Sequence, residues 1–141
     1  MIWKIEPTLT GLNASGNKTL VHHLGIEFIE IGDDYLKAKM PVDHRTVQPM
    51  GLLHGGASVA LAETMGSVAS LLMVDDLTKF APVGVEINAN HLSSARSGEV
   101  IGTVRPVKTG RRIHVWRINI EDSNGKLICE SRITTMIIEN K

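Results

Sequence analysis

One long apolar stretch, residues 48–73, constrains the fold of this chain more than any other feature. Glu63 is the only formally charged residue within it. The stretch is dense in alanine, leucine, valine, serine and glycine and has no proline after its second position, which predicts a helix of about five turns from Gly55 to Met73. A helix this apolar is expected to be buried.

The position of Glu63 divides this helix into two faces. At 100° per residue the larger apolar side chains gather opposite Glu63, where they would pack against a sheet. The stripe around Glu63 carries mostly small residues, Gly56, Val59, Ala60, Gly66, Ser67 and Ser70. These would leave space for a substrate or a second subunit to approach the carboxylate. Because a buried, unpartnered carboxylate is costly unless function retains it, Glu63 is a candidate catalytic residue. The alternative is a solvated or ion-paired glutamate.

The helix begins with His54-Gly55-Gly56. The first N–H groups of a helix lack intrahelical acceptors and lie at the positive end of its dipole, and two glycines would let a ligand oxygen reach them. Glu63 lies two turns further on, about 12 Å from Gly55 by the rise per residue. A site that uses both groups would therefore need them to meet across a subunit interface.

Four short motifs occur in and around this helix, namely Gln48-Pro49-Met50-Gly51, His54-Gly55-Gly56, Ala62-Glu63 and Gly66-Ser67. Together they resemble the signature of the hot-dog-fold acyl-CoA thioesterases, and in particular the PaaI-like bacterial subgroup. That subgroup hydrolyses 1,4-dihydroxy-2-naphthoyl-CoA in menaquinone biosynthesis, and a sibling clears misacylated aryl carrier protein in the enterobactin pathway. The likeness covers nearly the whole chain, including segments 1–4, 40–43, 86–91, 115–116 and Arg132.

The resemblance implies a catalytic set for thioester hydrolysis. The Gly55 N–H would polarise the carbonyl with help from His54 and Gln48, since negative charge develops on that oxygen. Glu63 would either attack the carbonyl or activate water as a general base. Ser67, one turn beyond Glu63, would orient the water or the carboxylate. The sequence has no metal-ligand cluster, and no cofactor is implied, because coenzyme A belongs to the substrate.

A basic segment near the predicted β-turn at 108–112 suits the phosphates of coenzyme A. Gly110 would add exposed backbone N–H groups, and Arg96 lies in another loop. A solvated basic turn is the plainer alternative. The resemblance implies substrate contacts at Gly84, His91, Leu92, Ser93, Ser94, Lys108, Thr109, Gly110, Arg111, Arg112 and Ile113.

Outside the helix, the hydrophobic period is two, which predicts strands. They are expected over 26–31, 35–42, 83–91, 99–107, 113–121 and 127–138. In the third of these, one face should hold Val83, Val85, Ile87, Ala89 and His91. Asn124-Gly125 predicts a primed turn before the last strand.

Residues 1–25 are expected to form a helical cap on a single domain that spans residues 1–141. Two strands, a long helix and four strands predict an α+β fold in which an antiparallel sheet wraps around a central helix. The hot-dog fold implied by the resemblance has this architecture.

The composition argues against some classes of function. Fifteen basic and fifteen acidic residues cancel, so no charge excess favours nucleic acid or an anionic membrane. Cys129 is the only cysteine, which suits the cytoplasm, and the N-terminus lacks the apolar run of a signal peptide.

The resemblance implies homodimers with active sites at the interface, assembled as a dimer of dimers.

Three alternatives remain open from the sequence. A hot-dog dehydratase pairs a histidine with a helical carboxylate, and His54 and Glu63 superficially offer both. A catalytically silent acyl-CoA-binding protein would make Glu63 dispensable. Among thioesterases, the thiol carrier could be coenzyme A or an acyl or aryl carrier protein, because a basic entrance around Arg96, Arg111 and Arg112 serves either ligand.

Overall fold

The structure is a computed structural model that describes every residue from Met1 to Lys141. Two short helices precede a six-stranded sheet and one long helix. The elements are α1 (Leu9–Ser15), α2 (Leu20–His23), β1 (Glu27–Ile31), β2 (Leu36–Pro41), α3 (Gly55–Leu72), β3 (Phe80–His91), β4 (Glu99–Thr109), β5 (Ile113–Asp122) and β6 (Leu127–Glu139). The predicted α+β order of two strands, a helix and four strands is confirmed.

All neighbouring strands are antiparallel, in the order β1-β2-β4-β5-β6-β3. Helix α3 lies against one face of this sheet and contacts every strand from β2 to β6. The two edge strands are β1 and β3. Strand β3 is 12 residues long and pairs only with β6, so the N–H and C=O groups of its other side point away from the sheet.

The core lies between α3 and the sheet. Strand β2 illustrates how the period of two builds it, because Leu36, Ala38 and Met40 are fully buried while Lys37 and Lys39 face the opposite side. Each fully buried leucine, methionine or isoleucine side chain contributes about 1.5–3 kcal/mol through removal of apolar surface from water. On α3 the predicted apolar face is buried at Leu61, Met65 and Leu72, and Val68 is half-buried.

The prediction that the small residues around Glu63 leave space for another molecule is wrong at Gly66 and Ser70. Both are buried against the chain's own sheet. A β-carbon on Gly66 would lie 2.3 Å from Cγ2 of Ile133, so this glycine lets α3 approach β6 closely. Half-buried or exposed positions around Glu63 remain at Gly56, Val59, Ala60 and Ser67.

The prediction that Val83 and Val85 share a face with Ile87, Ala89 and His91 is also wrong. The register of β3 with β6 shifts between Gly84 and Glu86, so one extra residue interrupts the alternation. A bulge of this kind reverses which side chains face the core. Gly84 faces the helix in place of its neighbours, while Val83 and Val85 are 37% and 52% exposed.

The turn between β5 and β6 differs from the primed turn predicted there. Gly125 has a positive φ of 80°, but Asn124 does not, whereas a type I′ turn needs positive φ at both central residues. The Gly125 N–H donates to the Asp122 carbonyl at 3.0 Å, and the Asp122 side chain accepts from the Asn124 and Lys126 N–H groups. Aspartate capping therefore organises this turn.

The N-terminal residues are tied to the sheet by side-chain contacts. The amide of Asn13 in α1 exchanges two hydrogen bonds with the Phe28 backbone, at 3.0 and 2.8 Å. Trp3 donates from Nε1 to the Gly32 carbonyl at 2.9 Å and stacks on Trp116 with ring centroids 6.1 Å apart. No helix in the structure has the length and hydropathy needed to cross a membrane.

Candidate active site

The N-terminus of α3 is built around His54, which is the helix N-cap. Its Nδ1 accepts the Gly56 N–H at 2.7 Å, and its carbonyl accepts from Ala57 and Ser58. Since Nδ1 is an acceptor, Nε2 carries the proton of the neutral ring and remains free to donate. His54 is therefore both a structural cap and a possible hydrogen-bond donor to a ligand.

The two glycines of this segment make room for two histidine rings. A β-carbon on Gly55 would lie 2.9 Å from Nε2 of His91, and one on Gly56 would lie 2.9 Å from the ring of His54. The prediction that a ligand oxygen could reach the N–H groups of both glycines is wrong at Gly56, whose N–H is bonded to the His54 ring. The Gly55 N–H nevertheless makes no hydrogen bond within the chain, so one helix-terminal donor is free.

Gln48 lies in the loop before α3, half-buried and shaped by local hydrogen bonds. Its side-chain Oε1 accepts the Met50 N–H, and its backbone N–H donates to the Leu52 carbonyl at 2.8 Å. This leaves the side-chain Nε2 without a hydrogen-bond partner in the chain. Gln48 makes no hydrogen bond to His54, and its role at the carbonyl stays a prediction.

The loop is held by a second local network that reaches the helix cap. The Thr46 carbonyl accepts the His54 N–H at 2.8 Å, and the buried Thr46 hydroxyl bonds the Pro41 carbonyl at 2.7 Å. Arg45 binds the carboxylate of Asp43 through Nε and Nη2, which lowers the pKa of Asp43 to about 2. This ion pair closes the turn that presents Thr46 to His54.

Glu63 lies in the middle of α3, where it is half-buried and forms no ion pair. Its Oε1 is 2.6 Å from the position that a β-carbon would occupy on Gly84. The absence of a side chain on Gly84 therefore makes room for the carboxylate beside the edge strand. Ser67 follows one helical turn later and is half-buried, and no hydrogen bond joins it to Glu63.

Glu63 and Gly55 are not brought together within one protomer. They are eight positions apart on one continuous helix, which corresponds to about 12 Å. The ring of His91, at the end of β3, lies beside Gly55. The carboxylate of Glu63 lies beside Gly84, in the middle of β3. The chain thus carries two separate groups of candidate site residues along α3 and the edge strand.

A third group of predicted residues surrounds a cleft of about 1020 Å³ near the C-terminal end of α3. The β4–β5 turn forms one wall, and the lining residues include Met73, Phe80, Thr109, Gly110, Arg111, Arg112 and Ile113. Arg111 and Arg112 are exposed and have no acidic partner within the chain. Lys108 and Arg96 are exposed outside this cleft.

The expected phosphate contact from the Gly110 N–H is wrong. That group donates to the Ile113 carbonyl at 2.9 Å and closes the β4–β5 hairpin. Backbone N–H groups of the loop after β3 are also bonded within the chain. Those of Leu92 and Ser93 donate to the Ile128 carbonyl at 2.8 and 3.3 Å. The Ser94 carbonyl accepts from Lys126. Side chains, rather than these amides, remain available to a ligand.

His114 was not predicted as a site residue, although it lines the cleft. It is 3% exposed, and its Nδ1 has no hydrogen-bond partner. Burial lowers the pKa of His114, so the ring is neutral near pH 7. The alternation of apolar residues along β5 could have indicated that His114 is buried, because it shares the inward face of Trp116, Ile118 and Ile120.

These side chains can polarise and hydrolyse a carbonyl compound. The helix terminus offers a free N–H donor, and Glu63 offers a carboxylate that can act as a base or nucleophile. No three histidine, cysteine, aspartate or glutamate side chains converge in a metal-binding arrangement. Burial raises the pKa of the Cys129 thiol, which makes it an inert core residue.

The six-stranded antiparallel sheet with one long helix against it is the hot-dog fold. Residues 50–129 match the family model described as the thioesterase superfamily. The solved structure of a Haemophilus influenzae thioesterase superposes with a TM-score of 0.95 and 49% identity, covering 99% of this chain and 96% of the other.

Two curated relatives show similarity over almost the full length. A 1,4-dihydroxy-2-naphthoyl-CoA hydrolase from Escherichia coli is 55% identical over 98% of this chain and 100% of its own. The proofreading thioesterase EntH from Cronobacter turicensis is 50% identical over 98% of this chain and 99% of its own. The chain belongs to the thioesterase superfamily, and it is a thioester hydrolase. Its family membership and its enzyme class were both predicted correctly from sequence.

Proposed function

We propose that this protein hydrolyses the thioester of an aromatic acyl-CoA, releasing the free acid and coenzyme A, with Glu63 as nucleophile or general base. The observation that carries the proposal is the contact of Glu63 with Gly84. It holds the only carboxylate of α3 against an edge strand, half-buried and without an ionic partner. A carboxylate in that setting is free to react rather than neutralised by a neighbouring charge.

The site is completed by a second copy of the chain. Strand β3 has one unpaired edge, and Val83 and Val85 are exposed on it. Long apolar edge strands are liable to aggregate unless they are covered, and antiparallel pairing with the same strand of a partner would cover this one. Such pairing would direct the helix N-terminus of one subunit toward Glu63 of the other, which overcomes their separation within one chain.

The reaction needs few groups. The free Gly55 N–H would stabilise the oxyanion that forms on the thioester carbonyl, and His54 Nε2 and Gln48 Nε2 would help to orient it. Glu63 would attack the carbonyl carbon or deprotonate the attacking water, with Ser67 close enough to hold that water. The thiol of coenzyme A has a pKa of about 8.5, so it leaves as a thiolate without a dedicated acid.

The coenzyme A portion would occupy the cleft at the C-terminal end of α3. Its volume suits a large ligand, and Arg111 and Arg112 on its rim would pair with phosphates. The apolar wall formed by Met73, Phe80 and Ile113 would contact the less polar parts. Gly84, His91, Leu92, Ser93 and Ser94 would line the path between the cleft and the reacting carbonyl.

The curated E. coli relative favours 1,4-dihydroxy-2-naphthoyl-CoA, or a closely similar aryl thioester, as the substrate. This would give the protein a role in menaquinone biosynthesis in the cytoplasm, as a dimer of dimers that needs no cofactor. A second candidate is proofreading of misacylated aryl carrier protein, which similarity to EntH favours. The exposed bases Arg96 and Lys108 outside the cleft would then contact the acidic carrier domain.

Release of free thiol from a panel of acyl-CoAs and aryl carrier proteins tests both candidates. Glu63→Gln is nearly isosteric, and we expect it to lose at least about a hundredfold in kcat on the best substrate. Glu121→Gln, at an exposed carboxylate of β5, is the matched control and should retain activity. Equal activity of wild type and Glu63→Gln would show that the catalytic assignment is wrong, and the ranking of the panel decides between the two carriers.

A further inference from the structure

Three buried polar side chains form a hydrogen-bonded cluster between α3 and the sheet. The Ser70 hydroxyl accepts from Trp116 Nε1 at 2.7 Å and shares a hydrogen bond of 2.6 Å with the Thr135 hydroxyl. All three residues are 0% exposed within a mostly apolar core. Buried polar groups lower stability unless they are paired, and paired groups impose a defined geometry on the elements that carry them.

This cluster lies beside the contact between Glu63 and Gly84. Ser70 follows Glu63 by seven residues, or nearly two full helical turns, so both side chains point from the same side of α3. Thr135 on β6 is the register partner of Gly84 on β3. Ser70 therefore bonds to the residue of β6 that pairs with Gly84, one strand further into the sheet, and neighbouring strands are about 4.8 Å apart.

Apolar packing alone does not determine where along the strand the helix lies. Gly66 brings α3 close to Ile133 of β6, which sets the distance between helix and strand. Dispersion contacts of this kind are weakly directional, so they permit sliding and rotation of the helix. Hydrogen bonds that link Ser70 with two neighbouring strands are directional and restrict both motions.

We propose that Ser70, Thr135 and Trp116 are positioning residues that hold α3 at the one setting in which Glu63 meets Gly84. The inference rests on the role of Glu63 in the proposed function. The three side chains touch no substrate, and they act on the reaction only through the placement of the carboxylate. Loss of the cluster therefore lowers kcat more than it raises KM, because substrate contacts at the cleft and at the helix terminus are retained.

Thr135→Val tests this most cleanly, since it removes one hydroxyl, preserves the shape and leaves Trp116 bonded to Ser70. We expect kcat for thiol release to fall roughly tenfold and KM to change less than about twofold, the scale of effect seen when a catalytic group is displaced by a fraction of an ångström to 1 Å. Thr135→Ser keeps the hydroxyl and should restore most of the lost kcat. Should Thr135→Val not fold, Ser70→Ala replaces it, since alanine favours a helix.

Ile118→Val is the control for a general loss of core stability, because Ile118 is fully buried on β5 and its side chain has no hydrogen-bonding group to contribute to the cluster. It should lower the melting temperature without changing kcat. Wild-type kcat in folded Thr135→Val, or an equal kcat loss in Ile118→Val at the same melting temperature, would overturn the inference. Glu63→Gln is measured alongside. If that variant is inactive while Thr135→Val is fully active, only the positioning role fails; if it is active, the catalytic role of Glu63 fails as well.

Discussion

The carboxylate of Glu63 occupies the space where a side chain on residue 84 would begin, with Oε1 only 2.6 Å from the position of a β-carbon on Gly84. The contact joins the middle of α3 to the edge strand, at the point where a bulge turns Gly84 toward the helix. A glycine at this position therefore makes room for the carboxylate, and the bulge explains why it faces inward.

Gly84→Ala should separate activity from stability. The new β-carbon meets only the flexible end of Glu63, so we expect the carboxylate to shift while stability changes by less than about 0.5 kcal/mol. A displacement of about 1 Å should lower kcat by roughly tenfold to a hundredfold. Steady-state thiol release and thermal unfolding measure the two effects, with Asn90→Ala in the same strand as the control. A folded, fully active Gly84→Ala would show that this contact is irrelevant to catalysis.

The Gly55 N–H can be removed without removing the helix. Proline suits the first position of a helix, and His54 already has the extended conformation, with ψ of 130°, that proline requires before it. Gly55→Ala is the matched control, because it keeps the N–H while placing a similar β-carbon against His91. We expect kcat of Gly55→Pro to be about 10²–10³-fold below that of Gly55→Ala, as for loss of an oxyanion donor. Equal kcat values would exclude the N–H from the reaction.

Arg111 and Arg112 should affect binding of the nucleotide part of the substrate. Because both side chains are exposed, each alanine substitution should raise KM by roughly two- to fivefold with little change in kcat. The effect should weaken with added salt and vanish for a pantetheine thioester that lacks the nucleotide phosphates. Arg117→Ala, at an arginine on β5 beside Glu130, is the control. A KM increase of the same size with the pantetheine thioester would contradict phosphate binding here.

The Asp43–Arg45 pair predicts a pH-dependent contribution to stability. The Arg45 side chain lowers the pKa of Asp43 from 3.8 to about 2 in the folded chain. A lowered carboxyl pKa stabilises the fold above the unfolded value, and this stabilisation is lost as pH falls toward the folded value. Asp43→Asn should thus be less stable than wild type at pH 7, and the gap should close between about pH 4 and 2. Urea unfolding at several pH values measures it, and a gap independent of pH would contradict the ion pair.

Periodicity predicted α3 and the strands well because burial follows it directly. A wide apolar face with a single charge strongly favours a helix packed against a sheet. Alternation of apolar and polar residues, as in segment 36–41, strongly favours a strand. The bulge at Gly84 was missed because a one-residue insertion depends on the partner strand β6, not on the local pattern of β3. It reversed the predicted faces of Val83 and Val85.

The glycines of α3 stand out in the sequence, but the structural reasons for them depend on tertiary neighbours. Gly55 accommodates the ring of His91, which lies 36 positions away in the sequence, and Gly66 accommodates Ile133. Neither neighbour can be inferred from spacing along the helix. The polar cluster of Ser70, Trp116 and Thr135 was missed for the same reason, because its three members come from three separate elements.

Subunit complementation tests most directly whether Glu63 of one chain works with Gly55 of its partner. Glu63→Gln and Gly55→Pro chains carrying different affinity tags are co-expressed, and assemblies that carry both tags are isolated. Because a dimer of dimers can also join two unmixed dimers, mixed dimers are counted by mass spectrometry after cross-linking. A site shared across the interface leaves one of the two sites intact, so we predict about half of the wild-type kcat per dimer from two nearly inactive parents. If each site lay within one chain, both sites would be damaged, and a mixed dimer no more active than its parents would contradict the account.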